Sequence, residues 1–135
     1  MTRFGIDALT ALRLVREAAV IPDEHQLVAP NLLRSQALSL VYRGVRDGEI
    51  SAADARTLLD GITTMRIRLL GDRVSRGTAF RLAEQLGWDD TPNAEYVAVA
   101  QLQADAFVTL DADLARAVTG VVTVAPYEAL LEPAR

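Results

Sequence analysis

The chain contains no cysteine and no lysine, and His25 is the one histidine among its 135 residues. Without cysteine, neither a disulfide framework nor a thiolate metal site is possible. A single histidine leaves little room for His-rich zinc chemistry or for a Ser-His-Asp triad. The sequence also lacks a run of the roughly eighteen apolar residues that a membrane span needs, and its N-terminus lacks the pattern of a signal peptide. We therefore expect a cytoplasmic protein with no membrane partner.

The residues that are present give an ordinary globular composition. Half of them are hydrophobic, 24% are charged, and the net charge is −4. That charge argues against a protein that coats nucleic acid by electrostatic attraction alone. The length, without any repeat or linker, predicts one domain over residues 1–135. All fourteen basic residues are arginine, and five of them fall between positions 66 and 81, as either a phosphate-binding rim or a solvated face.

Strand and helix patterns alternate along the whole chain. Apolar runs predict strands at 3–6, 27–29, 67–70, 106–110 and 121–124. Helical periodicity and capping residues predict helices from Thr10 to about Val20, from Asn31 to about Arg46, from Ser51 to Met65, over 73–86, from Asn93 onward and over 112–118, while the tail 126–135 has no clear pattern. This alternation predicts the α/β class, as a three-layer α/β/α sandwich with a mostly parallel central sheet.

Two of the apolar runs each end on an aspartate. Asp7 follows the run at 3–6, and Asp111 follows the run at 106–110. Open parallel sheets bind ligands outside the carboxyl ends of their strands, so these two side chains share one pocket if the strands are neighbours. Carboxylates that converge in a pocket are unfavourable unless a cation neutralises them, and the expected cation is Mg²⁺ or Mn²⁺.

Two neutral amides extend this pattern. Gln36 lies on the inward face of its predicted helix, where a polar side chain must be hydrogen-bonded or must face a cavity. Asn93 directly follows Pro92 at the start of another helix, where it either points toward the edge of the sheet or caps the helix.

Taken in order, Asp7, Gln36, Asn93 and Asp111 resemble the metal-site pattern of the PIN-domain family, most closely the VapC-type toxins of bacterial toxin–antitoxin systems. The matching segments are residues 5–8, 29–36, 93–100 and 108–114, and the resemblance extends over residues 3–124. It implies a PIN-like fold and a Mg²⁺-dependent endoribonuclease specific for single-stranded RNA. It also implies a homodimer and a small antitoxin protein that covers the acidic groove, often placing an arginine in it.

The chain departs from the family pattern at two of these four positions. Gln36 stands where the family has glutamate, and Asn93 stands where it has aspartate, so two of the four negative charges are lost. One Mg²⁺ could still be anchored by Asp7 and Asp111, with the amide oxygens as further ligands. Two ions about 4 Å apart would repel each other more than this pocket could offset. We expect weak metal binding and weakened RNA cleavage; the alternative is an inactive PIN domain that binds RNA or an antitoxin without cutting.

Further residues near the two aspartates have more than one interpretation. Asp113 is either a third catalytic carboxylate beside Asp7 and Asp111 or a surface charge, and Thr109 either hydrogen-bonds a ligand carboxylate or substrate phosphate or is simply a β-branched strand residue. Glu95 lies on nearly the opposite side of its helix from Asn93, so we do not expect it at the metal site. Two hypotheses about the whole chain stay open. In the first, Gln36 and Asn93 were introduced to silence a toxic protein. In the second, the chain is a receiver-like phosphate-binding domain, but such a domain needs a lysine beside its acidic cluster and this chain has none.

Overall fold

The computed structural model describes residues 1–133, and this part contains a four-stranded sheet and six α-helices. The strands are β1 (Thr2–Ile6), β2 (His25–Pro30), β3 (Ile67–Leu70) and β4 (Ala106–Val108). The helices are α1 (Ala8–Arg16), α2 (Leu33–Arg46), α3 (Ala52–Thr64), α4 (Arg73–Leu86), α5 (Pro92–Gln103) and α6 (Ala112–Val118), and a 3₁₀ turn spans Tyr127–Leu130. All neighbouring strands are parallel, in the order β3-β2-β1-β4.

Helices cover both faces of this sheet, which confirms the predicted three-layer α/β architecture. Helices α1, α2 and α3 pack on one another, whereas α4 packs on α5, and α5 lies against β1 and β2. The chain moves across the sheet in one direction from β1 to β3 and then crosses back to β4. Because crossovers between parallel strands are right-handed, the two groups of helices lie on opposite faces.

The close approach of α5 to β1 depends on Gly5. A Cβ atom at this position would lie 2.8 Å from the Cβ atom of Ala100, a separation that real Cβ atoms do not adopt. Most of α5 is buried, including every residue from Tyr96 to Ala100, as expected for a helix that is apolar on most sides. The N-terminal half of α5 is thereby held over the carboxyl ends of the strands.

The predicted beginnings of two helices are wrong. Helix α1 begins at Ala8 and is capped by Asp7 rather than by Thr10, and it ends at Arg16 rather than near Val20. The start was misplaced because aspartate and threonine are both good N-cap residues and lie three positions apart. Helix α2 begins after Leu32, and Asn31 instead extends the sheet, since its N–H donates to the Leu70 carbonyl at 3.0 Å.

The predicted strand at 121–124 is also wrong. Only Val124 pairs with the sheet, through an isolated bridge to Phe107, while Val121 and Val122 donate to the Val118 carbonyl in a turn. β-branched residues favour strands only where a neighbouring strand is available to pack against them. The strand predicted at 106–110 ends at Val108, and α5 begins at Pro92, so Asn93 lies inside the helix instead of capping it.

The remaining elements agree with the sequence patterns. Ser51 caps α3, α4 spans the predicted residues and ends at Gly87, whose φ of 69° suits a glycine, and α6 occupies the predicted range 112–118. Of the patternless tail 126–135, the last two residues lie outside the described part. Within residues 1–133, every helix is too short or too polar to cross a lipid bilayer.

Candidate functional site

The centre of the candidate site is the carboxylate of Asp7, at the carboxyl end of β1. Asp7 is 8% exposed. Its Oδ1 accepts hydrogen bonds from the backbone N–H of Thr10 at 3.0 Å and from the Thr10 hydroxyl at 2.6 Å, and its Oδ2 accepts one from the Thr109 hydroxyl at 2.5 Å. Hydrogen bonds to a charged acceptor are strong, and three of them offset the unfavourable burial of the charge.

Asp111 reaches the same region from the neighbouring strand. Ile6 of β1 pairs with Val108 of β4, so the residues that follow both strands emerge side by side. The Thr109 hydroxyl, which donates to Asp7, also accepts a hydrogen bond from the backbone N–H of Asp111 at 3.1 Å. One hydroxyl group therefore joins the two strand ends, and the prediction that they are neighbours is confirmed.

The side chain of Asp111 caps α6 and is exposed. Its Oδ1 accepts hydrogen bonds from the backbone N–H groups of Asp113 and Leu114 at 3.0 and 3.1 Å, and within residues 1–133 its Oδ2 has no hydrogen-bond partner. Asp113 is exposed as well and forms an ion pair with Arg116. Surface ion pairs contribute little stability, so this pair constrains the Asp113 side chain only weakly. The catalytic role of Asp113 stays a prediction.

Gln36 of α2 and Tyr96 of α5 come from helices on opposite faces of the sheet, and their side chains contact each other. The Tyr96 hydroxyl donates a hydrogen bond of 2.6 Å to Oε1 of Gln36, which satisfies the polar group that the helical pattern predicted on the inward face. Burial raises the pKa of the Tyr96 phenol far above its usual value, and the negative charges of Asp7 and Glu95 raise it further. Tyr96 therefore stays a neutral hydrogen-bond donor beside the carboxylate site.

Asn93 lies one helical turn before Tyr96 on α5 and thus on the same side of the helix. Its side chain is exposed and has no hydrogen-bond partner among the described residues. The structure therefore joins Asp7 to Asp111 through Thr109 and joins Gln36 to Tyr96, while the Asn93 side chain stays at the surface.

The ability of this site to hold a cation depends on two carboxylates. In the described part of the chain, no group of three or more His, Cys, Asp or Glu side chains could hold a metal ion. Asp111 has an unpartnered Oδ2 and the Asp7 carboxylate has remaining lone pairs, whereas Oε1 of Gln36 already accepts the Tyr96 hydroxyl and the Asn93 amide is exposed. Oxygen donors of these kinds are the ones that Mg²⁺ takes, and this ion is commonly bound through one or two carboxylates while it keeps several waters.

Two residues of the site were not recognised from the sequence. Thr10 was assigned as a helix cap, but it is the main hydrogen-bond donor to Asp7. Tyr96 lies in the segment 93–100 without being predicted as a site residue, but its hydroxyl positions Gln36. A signal existed in each case: Thr10 occupies the third helical position after the Asp7 cap, and Tyr96 places a polar tip within a buried run, one turn from Asn93.

The arginine cluster at 66–81 does not form one surface. Arg73 and Arg76 border a cavity at the carboxyl ends of β2 and β3, together with Glu95. Arg66 and Arg68 line a different cavity toward the opposite ends of the strands. Glu95 borders the first of these cavities, and that it takes no part in the metal site stays a prediction.

Comparisons with known proteins show the fold of this chain. No protein-family model matches it, and no curated protein matches it. Among solved structures, it is similar to the crystal structure of PAE2754 from Pyrobaculum aerophilum, with a TM-score of 0.69 over 97% of this chain and 94% of that chain. The two sequences are 22% identical, a likeness that extends to the fold alone.

Proposed function

We propose that this chain is a PIN-like, Mg²⁺-dependent endoribonuclease of the VapC type, specific for single-stranded RNA and weakened by Gln36 and Asn93. The observation that supports this best is the hydrogen-bonded sequence from Asp7 through Thr109 to Asp111 at the carboxyl edge of a parallel sheet. Ligands of open α/β sheets bind at this edge.

The protein groups have distinct roles in this proposal. Bound Mg²⁺ supplies Lewis-acid stabilisation of developing charge and a more acidic water. Asp7 and Asp111 would hold the ion, while Thr10 and Thr109 fix the orientation of the Asp7 carboxylate. The Asp113 carboxylate is exposed, and it would orient the attacking water or accept its proton. The phosphodiester would enter from the solvent side, past Asn93.

Cleavage of a mixed-sequence single-stranded RNA in Mg²⁺ or Mn²⁺ tests this function. The native chain should cut slowly, and Asp7→Asn should reduce the rate at least about tenfold, since one of two anchoring charges is lost. A matched control is Asp105→Asn, which changes an exposed aspartate at the opposite end of β4. Equal rates for the native chain and Asp7→Asn would remove the nuclease function.

A second candidate function is a PIN-like domain that binds RNA or an antitoxin without cleavage. It is favoured by the hydrogen bonds to Asp7, because three protein donors already stabilise this carboxylate without a cation. In that case the native chain should retain single-stranded RNA in a filter-binding assay in EDTA and leave it intact in Mg²⁺. Tight Mg²⁺ binding by the native chain would contradict this second function.

The partners are part of the same proposal: an RNA substrate, a small antitoxin protein and a second copy of the chain. An antitoxin arginine inserted at the site would meet two carboxylates rather than four, so the charge-assisted hydrogen bonds should be weaker. Replacing that arginine by alanine should reduce binding of the antitoxin only slightly. A loss of several kcal/mol would contradict this expectation. Sedimentation equilibrium of the purified chain tests the homodimer.

A further inference from the structure

A second cavity lies on the same edge of the sheet as Asp7, at the carboxyl ends of β2 and β3. Its volume is about 360 Å³, within the range of cavities that bind small molecules. Asn31 and Gly71 border it from the strand ends, Arg73 and Arg76 from the start of α4, and Glu95 from α5. Parallel strands are spaced about 4.8 Å apart, so the midpoint between β2 and β3 is roughly 7 Å from β1.

Glu95 is the only carboxylate near this cavity that is left without a partner by the described residues. It is half-buried and forms no hydrogen bond and no ion pair within residues 1–133. Asp72, the other acidic residue at the cavity, is already used: its Oδ1 accepts the backbone N–H of Ser75 at 2.8 Å in the capping box of α4. Glu95 is therefore available to accept hydrogen bonds from a ligand.

Two cations at the same cavity are also available. Arg73 and Arg76 are exposed and take part in no ion pair among residues 1–133. They lie three residues apart in the first turn of α4, so their side chains emerge close together. Two neighbouring guanidinium groups with planar arrays of donors suit a phosphate group.

A third hydrogen-bonding group is the amide of Asn31, and Gly71 leaves the space for it. A Cβ atom on Gly71 would lie 2.5 Å from the Asn31 Nδ2 atom, so any larger residue at this position would displace the amide. The Asn31 side chain has no hydrogen-bond partner among the described residues. The cavity thus combines an acceptor, two cations and an amide, none of them satisfied by the described part of the protein.

We propose that this cavity binds one nucleotide of the RNA strand and favours guanine as its base. Guanine presents two adjacent N–H donors on its Watson–Crick edge, which match the two oxygens of a carboxylate, whereas adenine, cytosine and uracil present fewer adjacent donors. Unpaired RNA bases are read by hydrogen bonds on this edge. Glu95 reads the base, and Arg73 with Arg76 binds the phosphate. This inference rests on the proposed RNA-binding function and adds its base preference.

Titration of the native chain with guanosine, adenosine, cytidine and uridine monophosphates, in EDTA, tests the proposal. Guanosine monophosphate should bind at least about fivefold more tightly than the other three, because a bidentate contact to a base discriminates against the wrong base by that factor or more. Glu95→Gln should abolish the preference while weakly bound nucleotide remains. Glu84→Gln, an exposed substitution on α4, should change neither quantity.

The arginines should affect binding differently from Glu95. Replacing Arg73 and Arg76 by alanine should weaken all four nucleotides equally and reduce the dependence of affinity on salt, because phosphate contacts do not read the base. Gly71→Ala should weaken binding by displacing the Asn31 amide. Circular dichroism spectra of all variants establish that a loss of binding is not a loss of folding.

The outcomes separate this proposal from the nuclease function. Equal affinity for the four nucleotides, or a guanosine preference that survives Glu95→Gln, would overturn it, and so would the absence of binding at millimolar nucleotide. Because EDTA excludes metal-dependent cleavage, a chain that binds guanosine monophosphate selectively but cuts no RNA retains this site and loses only the catalytic function. A chain that cuts RNA but binds no mononucleotide retains only the catalytic function.

Discussion

The two halves of the carboxyl edge of the sheet differ in whether their polar side chains have hydrogen-bond partners within the protein. At the ends of β1 and β4, Asp7 is 8% exposed and its carboxylate accepts three hydrogen bonds from the protein. At the ends of β2 and β3, Glu95 and its neighbouring arginines have no polar partner in the described part of the chain. At the ends of β1 and β4, hydrogen bonds to a buried carboxylate stabilise the protein. At the ends of β2 and β3, the polar side chains are left free to bind a ligand.

This difference follows from where each carboxylate lies in its element. Asp7 directly follows β1 and precedes α1, so the backbone N–H and hydroxyl of Thr10 in the first turn of the helix, and the Thr109 hydroxyl that follows β4, donate to it. Glu95 lies in the first turn of α5, on the side that faces α4. Partial burial raises the pKa of the Glu95 carboxyl above its usual value, because desolvation disfavours the charged form.

The largest expected effect is that of Asp7→Ala on stability. The substitution removes the cap of α1 and leaves the hydroxyls of Thr10 and Thr109 without their acceptor, so the free energy of unfolding should fall by about 3 kcal/mol. Asp111→Ala, which removes an exposed cap, should reduce it by about 1 kcal/mol. Urea unfolding of both variants measures the difference. Equal losses would contradict the distinction between a buried and an exposed carboxylate.

A smaller effect is expected from Tyr96→Phe. The variant deprives Oε1 of Gln36 of its hydrogen-bond donor in a half-buried position, and the free energy of unfolding should fall by about 1 kcal/mol. Tyr42→Phe, which removes the hydroxyl of an exposed tyrosine, is the matched control and should leave stability unchanged. If the two variants unfold at the same urea concentration, the Tyr96–Gln36 hydrogen bond does not stabilise the site.

The smallest effect is the pH dependence of the α4 cap beside the open cavity. Hydrogen bonds from the backbone and side chain of Ser75 lower the pKa of Asp72 below its usual value. A carboxyl whose folded pKa is depressed stabilises the protein above its unfolded pKa, near 3.8, and loses this contribution as the pH falls through the folded pKa.

The variants Asp72→Ala and Ser75→Ala measure this cap. Asp72→Ala should be less stable than the native chain at pH 7, and the difference should shrink as the pH falls below about 4. Ser75→Ala retains the Asp72 carboxylate and loses the hydrogen bond from the Asp72 N–H to the Ser75 hydroxyl. It should therefore reduce stability at pH 7 by less than Asp72→Ala does. A difference that is constant from pH 7 to pH 3 would show that the Asp72 charge does not contribute.

The fold and the edge that holds the site were predictable because both depend on local patterns. Short apolar runs mark β1, β2 and β4, and parallel strands place their carboxyl ends at one edge, so aspartates after two neighbouring strands must approach each other. The exact contacts were not predictable, since Gln36 and Tyr96 are 60 residues apart and neither pattern specifies the other. The run Val121–Val124 has strand propensity but pairs with the sheet only at Val124.

The cavity at β2 and β3 was not predictable for a different reason. It depends on side chains that lack partners, and a sequence shows which groups are polar but not which of them are satisfied. The helical spacing of Glu95 predicts only that it does not share the side of α5 that carries Asn93, and it does not indicate that Glu95 borders a cavity with two arginines.

A Mg²⁺ titration by calorimetry, on the native chain and on the double variant Gln36→Glu with Asn93→Asp, tests the central claim most directly. If Gln36 and Asn93 lie at one metal site with Asp7 and Asp111, the native chain should bind Mg²⁺ weakly. The double variant should then bind Mg²⁺ at least about tenfold more tightly. Adding Asp7→Asn to the double variant should abolish the gain. Unchanged Mg²⁺ affinity in the double variant would contradict the claim that these four side chains form one site.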